Sequence, residues 1–332
     1  MKNYLVTGGA GFIGSNYIHY LMENFEKDIN VINLDALTYC GNRSNVSIYE
    51  GNNHYCFIQG DICDEKLIKK IFHENDIDYV IHFAAQTHVD RSIASAYEFA
   101  NTNIIGTLNL LNTAKEAWES SNYNGKRFLY VSTDEVYGEL PAEGYFTEDT
   151  PLRPRNPYSA SKAAGDMMAH AFYETHHLPV VITRCSNNYG PYQNAEKFIP
   201  HTIQCCLNGN EIPVYGDGMN VRDWLYVTDH CKAIDKVLHL GKVGEVYNVG
   251  GHNEYTNLEI LTTILTILKE DFNIPDAPIK FVMDRKCHDK RYAIDPSKIM
   301  NELGWKPETN FNDGIRKALR WYIENKSFLE ID

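Results

Sequence analysis

The sequence predicts a doubly wound α/β fold, a parallel sheet with helices on both faces, followed by a smaller C-terminal α/β unit. Three observations lead there. Short apolar runs alternate with helical stretches through the first 185 residues, the pattern of a parallel sheet. The first run ends in a glycine-rich turn, Gly8-Gly9-Ala10-Gly11-Phe12-Ile13-Gly14. The second ends in an acid, Asp35, about twenty residues past the last of these glycines.

Composition bounds the function. The chain has 332 residues, 43% hydrophobic and 23% charged, which suits a globular protein of one or two domains with a sizeable core. The formal net charge is -13 with no block of Lys or Arg. Nucleic acid and anionic membranes are therefore not expected partners, and a nucleotide substrate needs local positive charge. No apolar run approaches a membrane span, and Tyr4-Leu5-Val6 is too short for a secretory leader. The eight cysteines form no C-x-x-C pair, and several stand in apolar runs. Buried reduced thiols, no metal site and a cytoplasmic setting are expected.

Asn3 to Thr7 reads as the first strand. Gly8, Gly11 and Gly14 follow three apart, and Phe12, Ile13, Tyr17 and Leu21 form the stripe of a helix. Glycine at these points permits a tight turn and lets a pyrophosphate approach the helix N-terminus. This is a Rossmann-type arrangement. After the strand Asn30 to Leu34, Asp35 accepts hydrogen bonds from ribose hydroxyls and repels a 2′-phosphate; no Arg directly follows. The expected cofactor is NAD rather than NADP.

The strand Tyr55 to Gln59 ends at Gly60-Asp61-Ile62. Asp61 either meets the adenine amino group or caps the next helix. The strand Tyr79 to Phe83 ends in Ala84-Ala85-Gln86-Thr87-His88, where small residues let a cofactor pass close to the backbone. His88 and Asp90 are substrate contacts or loop polar groups. A long helical stretch with Ile104, Leu108 and Leu111 on one face leads to the strand Phe128 to Val131. Past its carboxyl end stand Ser132-Thr133-Asp134-Glu135-Val136-Tyr137-Gly138, at the edge where open α/β sheets bind ligands.

Pro157 precedes Tyr158-Ser159-Ala160-Ser161-Lys162 and a helix. Tyr158 and Lys162, four apart, share one face; Ala160, Ala164, Met167 and Ala171 fall opposite and are expected to pack. A nearby ammonium is expected to lower the tyrosine's pKa and make it a usable base. A strand from Pro179 to Arg184 then leads into Cys185-Ser186-Asn187-Asn188-Tyr189-Gly190-Pro191-Tyr192-Gln193. Glu196 and Lys197 open a helix from Phe198 to Leu207, and Pro213-Val214-Tyr215 reads as a short strand. Arg222 is the best diphosphate candidate, through bidentate bonds, against a surface ion pair with Asp217 or Asp223. Ile315, Ala318, Leu319 and Tyr322 stripe a structural C-terminal helix. The expected division is residues 1–185 as the NAD-binding domain, with 227–250 returning to it, and 186–332 as the nucleotide-sugar-binding domain.

The T-G-G-A-G-F-I-G and Y-S-A-S-K motifs resemble the extended short-chain dehydrogenase/reductase family. S-T-D-E-V-Y-G, R-C-S-N-N-Y-G-P-Y-Q, E-K-F-I-P and R-D-W-L-Y-V-x-D-H resemble its dTDP-glucose 4,6-dehydratase branch over essentially the whole chain. That resemblance implies a cofactor groove of Gly8, Gly11, Phe12, Ile13, Gly14, Asp35, Asp61, Ile62, Ala84, Ala85, Thr102, Tyr158, Lys162 and Asn188. It implies a dTDP-glucose site of His88, Thr133, Asn187, Glu196, Lys197, Pro213, Tyr215, Arg222, Asn257, His288, Asp289 and Tyr292. In the reaction it implies, Tyr158 takes the C4 hydroxyl proton as a hydride leaves for NAD, Lys162 supports the phenolate and Thr133 binds the C4 oxygen. Glu135 then takes the C5 proton, Asp134 protonates the departing C6 hydroxyl, and the hydride returns to C6. A homodimer through a four-helix bundle is also implied.

One stretch departs from the family. Asp284-Arg285-Lys286-Cys287-His288-Asp289 has Lys286 and Cys287 where relatives usually carry Pro and Gly. The residues alone leave open which carboxylate is the acid. They also leave open a UDP-sugar epimerase or decarboxylase, a CDP-glucose dehydratase, and a non-catalytic nucleotide-binding regulator.

Overall fold

The computed structural model describes residues 1–329; residues 330–332, the end of the expected second domain, lie outside them. The strands are β1 (Lys2–Thr7), β2 (Ile29–Asp35), β3 (Tyr55–Gln59), β4 (Tyr79–His82), β5 (Arg127–Thr133) and β6 (Val180–Cys185), then β7 (Asn187–Tyr189), β8 (Ile212–Tyr215), β9 (Val221–Tyr226), β10 (Val246–Val249), β11 (Glu254–Thr256) and β12 (Ile279–Val282). The helices are α1 (Phe12–Phe25), α2 (Glu65–Asn75), α3 (Val89–Ala94), α4 (Ala96–Ala100), α5 (Thr107–Trp118) and α6 (Pro157–His176), then α7 (Phe198–Asn208), α8 (Val227–Leu240), α9 (Asn257–Phe272), α10 (Ser297–Leu303) and α11 (Phe311–Glu324).

The main sheet has seven strands in the order β10-β6-β5-β4-β1-β2-β3, and its neighbours pair in parallel. Strand order reverses between β1 and β4, which opens a crevice at their carboxyl ends. The central strands are buried on both faces, as continuous apolar runs such as Phe128-Leu129-Tyr130-Val131 require. One core lies beneath α1 and α8, built on Tyr17, Leu21, Ile234 and Val237. The core on the opposite face is built on Ile68, Leu111, Trp118 and Phe172. A third lies in the C-terminal part, where Ile264, Ile315, Leu319 and Tyr322 pack with Trp224. The stripe on α11 is thus structural, as the sequence indicates.

Three expectations change. The helical stretch before β5 is not one helix: Asn101–Gly106 forms a π-turn ahead of α5. Its wider winding shifts the face, so Ile104 and Leu108 are half-buried while Leu111 is fully buried. The outer face of α6 does not pack within the chain. Ala160, Met167 and Ala171 are exposed and Ala164 half-buried, because α3, α4 and the sheet cover only the opposite side. Finally, Cys56 and Cys287 are exposed rather than buried. No helix among the described residues is long and apolar enough to cross a membrane.

Candidate active site

Two adjoining cavities, of about 350 and 510 Å³, open along the carboxyl edge of the sheet. The first follows the crevice between β1 and β4. Gly8 has φ +73°, and a Cβ there would lie 2.6 Å from Ala84 N; only glycine fits. A Cβ on Gly14 would meet Gly8 O at 2.3 Å, so this glycine lets α1 begin directly above the turn. At Gly11 a Cβ would meet only Gly8 O, at 3.3 Å, because the rest of its surroundings is the groove itself. A bare turn at a helix N-terminus, with room beside it, fits a dinucleotide's pyrophosphate. Asp35 sits at the end of β2, its carboxylate accepting Ala10 N at 2.9 Å and Leu37 N at 2.8 Å. Burial raises its pKa, and the two backbone donors oppose that shift.

Phe12, Ile13, Asp61, Ile62, Ala84, Ala85, Thr102 and Asn188 line the same cavity, as do Tyr158 and Lys162. Asp61 caps no helix: it accepts Cys63 N at 2.8 Å, and Asp64 caps α2.

Tyr158 and Lys162 rise from the first turns of α6, which begins in a capping box of Asn156 and Ser159 with Pro157 at its first position. Lys162 Nζ donates to Val131 O at 2.7 Å and lies 4.3 Å from the Tyr130 ring centroid. Burial lowers its pKa to about 8. The expected lowering of Tyr158 is reversed here. Burial raises the phenol well above its ordinary value, the Glu135 charge adds to it, and only Thr133 opposes it. Desolvation outweighs an ammonium already held by a carbonyl.

Thr133, Asp134 and Glu135 line the first cavity from the end of β5. Asp134 is 2% exposed. Thr133 Oγ1 donates to its Oδ1 at 3.3 Å, and Oδ2 is buried without a partner. Burial holds the Asp134 carboxyl well above the usual range, and the charges of Glu135 and Asp223 push the same way, outweighing Arg222 and Thr133. Burial also raises Glu135, but Arg222, Lys197 and the Asn156 amide oppose it. Neighbouring carboxyls in such unequal surroundings separate into an acid and a base. Here Asp134 keeps the proton and Glu135 gives it up first.

The second cavity is lined by His88, Asn187, Glu196, Lys197, Pro213, Tyr215, Arg222, Asn257, His288, Asp289 and Tyr292. Thr87, Glu135, Asn187, Asn188, Gln193 and Lys197 line both cavities and form the seam. Arg222 is buried, with no ion pair to Asp217 or Asp223. It donates to the carbonyls of Val221 and Asp289 and lies over the Tyr292 ring. Glu196 pairs with Arg91 at 2.6 Å, and Arg285 approaches Asp90 at 3.5 Å. Cys287 lines this cavity at φ +52°, a left-handed conformation that glycine adopts more readily.

Sequence reasoning missed several groups. Asn103 binds both the peptide of Gln86 and Ser161 of α6, from a π-turn that apolar periodicity does not reveal. His82 bridges Thr7 at 2.7 Å and Thr107 at 2.9 Å; in the sequence it is simply the end of an apolar strand. Gln193 reaches back to Asn188 O at 3.0 Å, and the polar run from Ser186 could have flagged it.

A glycine cradle below an acidic strand end, with Tyr and Lys on the adjoining helix, defines the class: a Rossmann-type short-chain dehydrogenase/reductase. The model of one family, described as GDP-mannose 4,6 dehydratase, matches residues 5–318, and the chain belongs to that family. It is 48% identical to a dTDP-glucose 4,6-dehydratase of Xanthomonas campestris pv. campestris, over 99% of this chain and 95% of that one. A dTDP-glucose 4,6-dehydratase of Neisseria gonorrhoeae is also 48% identical, over 98% and 97%. Among solved structures, a dTDP-glucose 4,6-dehydratase from Streptomyces venezuelae with NAD bound superposes with a TM-score of 0.91, at 45% identity over 99% of each chain. A UDP-glucose 4-epimerase from Thermotoga maritima gives 0.87 at 30% identity, over 98% and 99%. Fold alone therefore does not separate dehydration from epimerisation.

Proposed function

We propose that this chain is an NAD-dependent hydro-lyase that converts dTDP-glucose to dTDP-4-keto-6-deoxyglucose and water. The observation that carries this reading is the carboxyl pair Asp134–Glu135, with its unequal surroundings, on the cavity wall that also holds Tyr158 and Lys162. Epimerisation at C4 needs no such pair. The nearly full-length identity to named dehydratases supports the same choice.

The residues divide the work as follows. Bound NAD supplies the hydride acceptor, later the hydride donor, and a cationic ring that favours a phenolate. Gly8, Gly11 and Gly14 would hold its pyrophosphate, and Asp35 its ribose hydroxyls. Tyr158 accepts the C4 hydroxyl proton, and Lys162 stabilises the resulting phenolate electrostatically. Thr133 holds the C4 oxygen. With a ketone at C4 the C5 proton is acidic enough for a carboxylate, and Glu135 removes it. Asp134 gives its proton to the C6 hydroxyl, which leaves as water; the C5–C6 double bond left behind takes the hydride at C6 and a proton at C5. Arg222, Asn257 and the stretch around His288 hold the diphosphate, and Pro213 and Tyr215 flank the base. His88, Asn187, Glu196 and Lys197 contact the rest of the nucleotide-sugar.

We assign residues 1–185 and 227–250 to cofactor binding and the remainder to the nucleotide-sugar, in a cytoplasmic homodimer feeding deoxysugar synthesis. The dimer reading is supported by the exposed apolar side chains Met167 and Met168 on α6 and Ile93 and Tyr97 on α3 and α4. The test of function is incubation with dTDP-glucose in deuterated water. A product lighter by one water, with solvent label at C5 and the C4 hydrogen carried to C6, is expected. Unchanged mass with inversion at C4 would establish epimerisation instead.

A further inference from the structure

His230 lies on α8, fully buried, in a position that neither proton transfer nor phosphate binding uses. Its Nδ1 is 2.9 Å from Oδ1 of Asn188, the residue on the seam of the two cavities. The hydrogen-bond directions there are determined by one atom. Asn188 Nδ2 lies 2.9 Å from the Ser186 carbonyl oxygen, which can only accept. The amide nitrogen must therefore face Ser186, and its oxygen must face His230. The imidazole consequently carries its proton on Nδ1. Its Nε2 is left as a bare acceptor, buried without a partner, an arrangement normally avoided in a protein interior. Burial pushes the imidazolium pKa down to about 3, so the ring is neutral throughout the physiological range.

We propose that His230 is a positioning residue that fixes the amide of Asn188, so that the second Nδ2 hydrogen is presented to the seam between cofactor and sugar. Without the Nδ1 donor, the amide keeps only its bond to the Ser186 carbonyl and can swing about it, so its second hydrogen is no longer held in one direction. Gln193 holds the same residue by its backbone oxygen at 3.0 Å and Ser186 holds the amide nitrogen, so His230 supplies the second point that the amide plane needs. The inference rests on the dehydratase reading only in naming what occupies the seam; the hydrogen-bond directions stand without it.

A double-mutant cycle tests it, read both by turnover and by NAD affinity from calorimetry. His230→Leu removes the donor and roughly preserves volume. We expect it to lower kcat and NAD affinity about tenfold, the scale of one hydrogen bond, with KM for dTDP-glucose within about twofold. In an Asn188→Ala background the same change should cost less than about twofold. His230→Asn, whose amide nitrogen overlays Nδ1, should restore both readouts to within about threefold. An equal loss in both backgrounds overturns the proposal. Should the Leu variant not fold, the near-isosteric His230→Gln and His230→Met decide: only the amide can donate to Asn188, so equal NAD affinities in the two would sink the idea. If the wild-type protein binds NAD yet does not dehydrate dTDP-glucose, the functional reading fails, while the affinity cycle still decides the role of His230.

Discussion

The hydroxyl of Thr133 donates to Oδ1 of Asp134 at 3.3 Å and leaves the other carboxyl oxygen buried and unpartnered. A carboxylate in that position would be uncompensated, whereas a carboxylic acid has a proton to give. Glu135, one residue on, has Arg222 and Lys197 against it and keeps its charge more readily. We therefore expect Asp134→Asn and Glu135→Gln each to lower turnover by roughly two orders of magnitude or more, the scale of lost general acid or base. They should differ in one respect. Asp134→Asn retains the base, so solvent deuterium should still enter C5 of recovered substrate; Glu135→Gln should not exchange. Mass spectrometry of recovered dTDP-glucose reads this directly.

The pH profile follows from the same groups. In the proposed mechanism the free enzyme needs Glu135 ionised, and its pKa is raised above the ordinary carboxylate value. Activity should therefore rise with pH through that raised value. It also needs Lys162 charged, and burial has lowered that group to about 8. Activity should fall as pH passes that point, because the ammonium that stabilises the phenolate is lost. A bell in kcat/KM is expected, its limbs reporting free-enzyme groups. Lys162→Arg, if active, should lose the alkaline limb, since a guanidinium does not titrate there. An unchanged limb in that variant would remove Lys162 from the account.

Asp166 and Arg184 form a buried ion pair that supports α6 from behind. Both guanidinium bonds are short, Nε to Oδ2 at 2.8 Å and Nη2 to Oδ1 at 2.9 Å. Arg184 also donates to the Tyr137 hydroxyl at 2.9 Å, which donates to Asn248 at 2.8 Å. The network thus ties α6, β6 and β10 to the turn that carries Asp134. Asp166→Ala would strand a buried guanidinium, a change that typically costs about 3–5 kcal/mol. Urea unfolding should show a lower midpoint with an unchanged slope.

Much of this was legible in the sequence for definite physical reasons. Gly8 and Gly14 are constrained by backbone contacts that no side chain tolerates, so their spacing reports the turn itself. Tyr158 and Lys162 are four apart on one helix, and helical geometry alone puts them on one face. Asp134 and Glu135 follow an apolar run whose burial fixes their place at the sheet edge. What could not be read depends on contacts between distant segments. The direction of the Tyr158 shift is set first by burial, to which the Glu135 charge adds. The inequality of the carboxyl pair depends on Lys197, which acts on Glu135 alone, and on Asp223, which acts on Asp134 alone, both far along the chain. The π-turn around Asn103 disrupts the periodicity from which helices are read.

The final prediction concerns the outer face of α6. Met167 is 62% exposed and Tyr97, on α4, is 81% exposed; Ile93 and Ile105, on elements that also adjoin α6, are exposed as well. Exposed apolar side chains in such number are the expected mark of an association site, and the proposed dimer uses them. Because α6 carries Tyr158 and Lys162 on its other side, pairing of two α6 helices would hold the catalytic face rigid in both subunits. A charge at the centre of that surface cannot be buried against its symmetric copy, since a two-fold axis brings like residues close together. Met167→Glu should therefore convert a dimer to a monomer in light scattering. The monomer should keep its NAD affinity, because the glycine cradle is complete within one chain, and lose turnover as α6 loses its outer support. A wild-type protein that already scatters as a monomer would dispose of the interface.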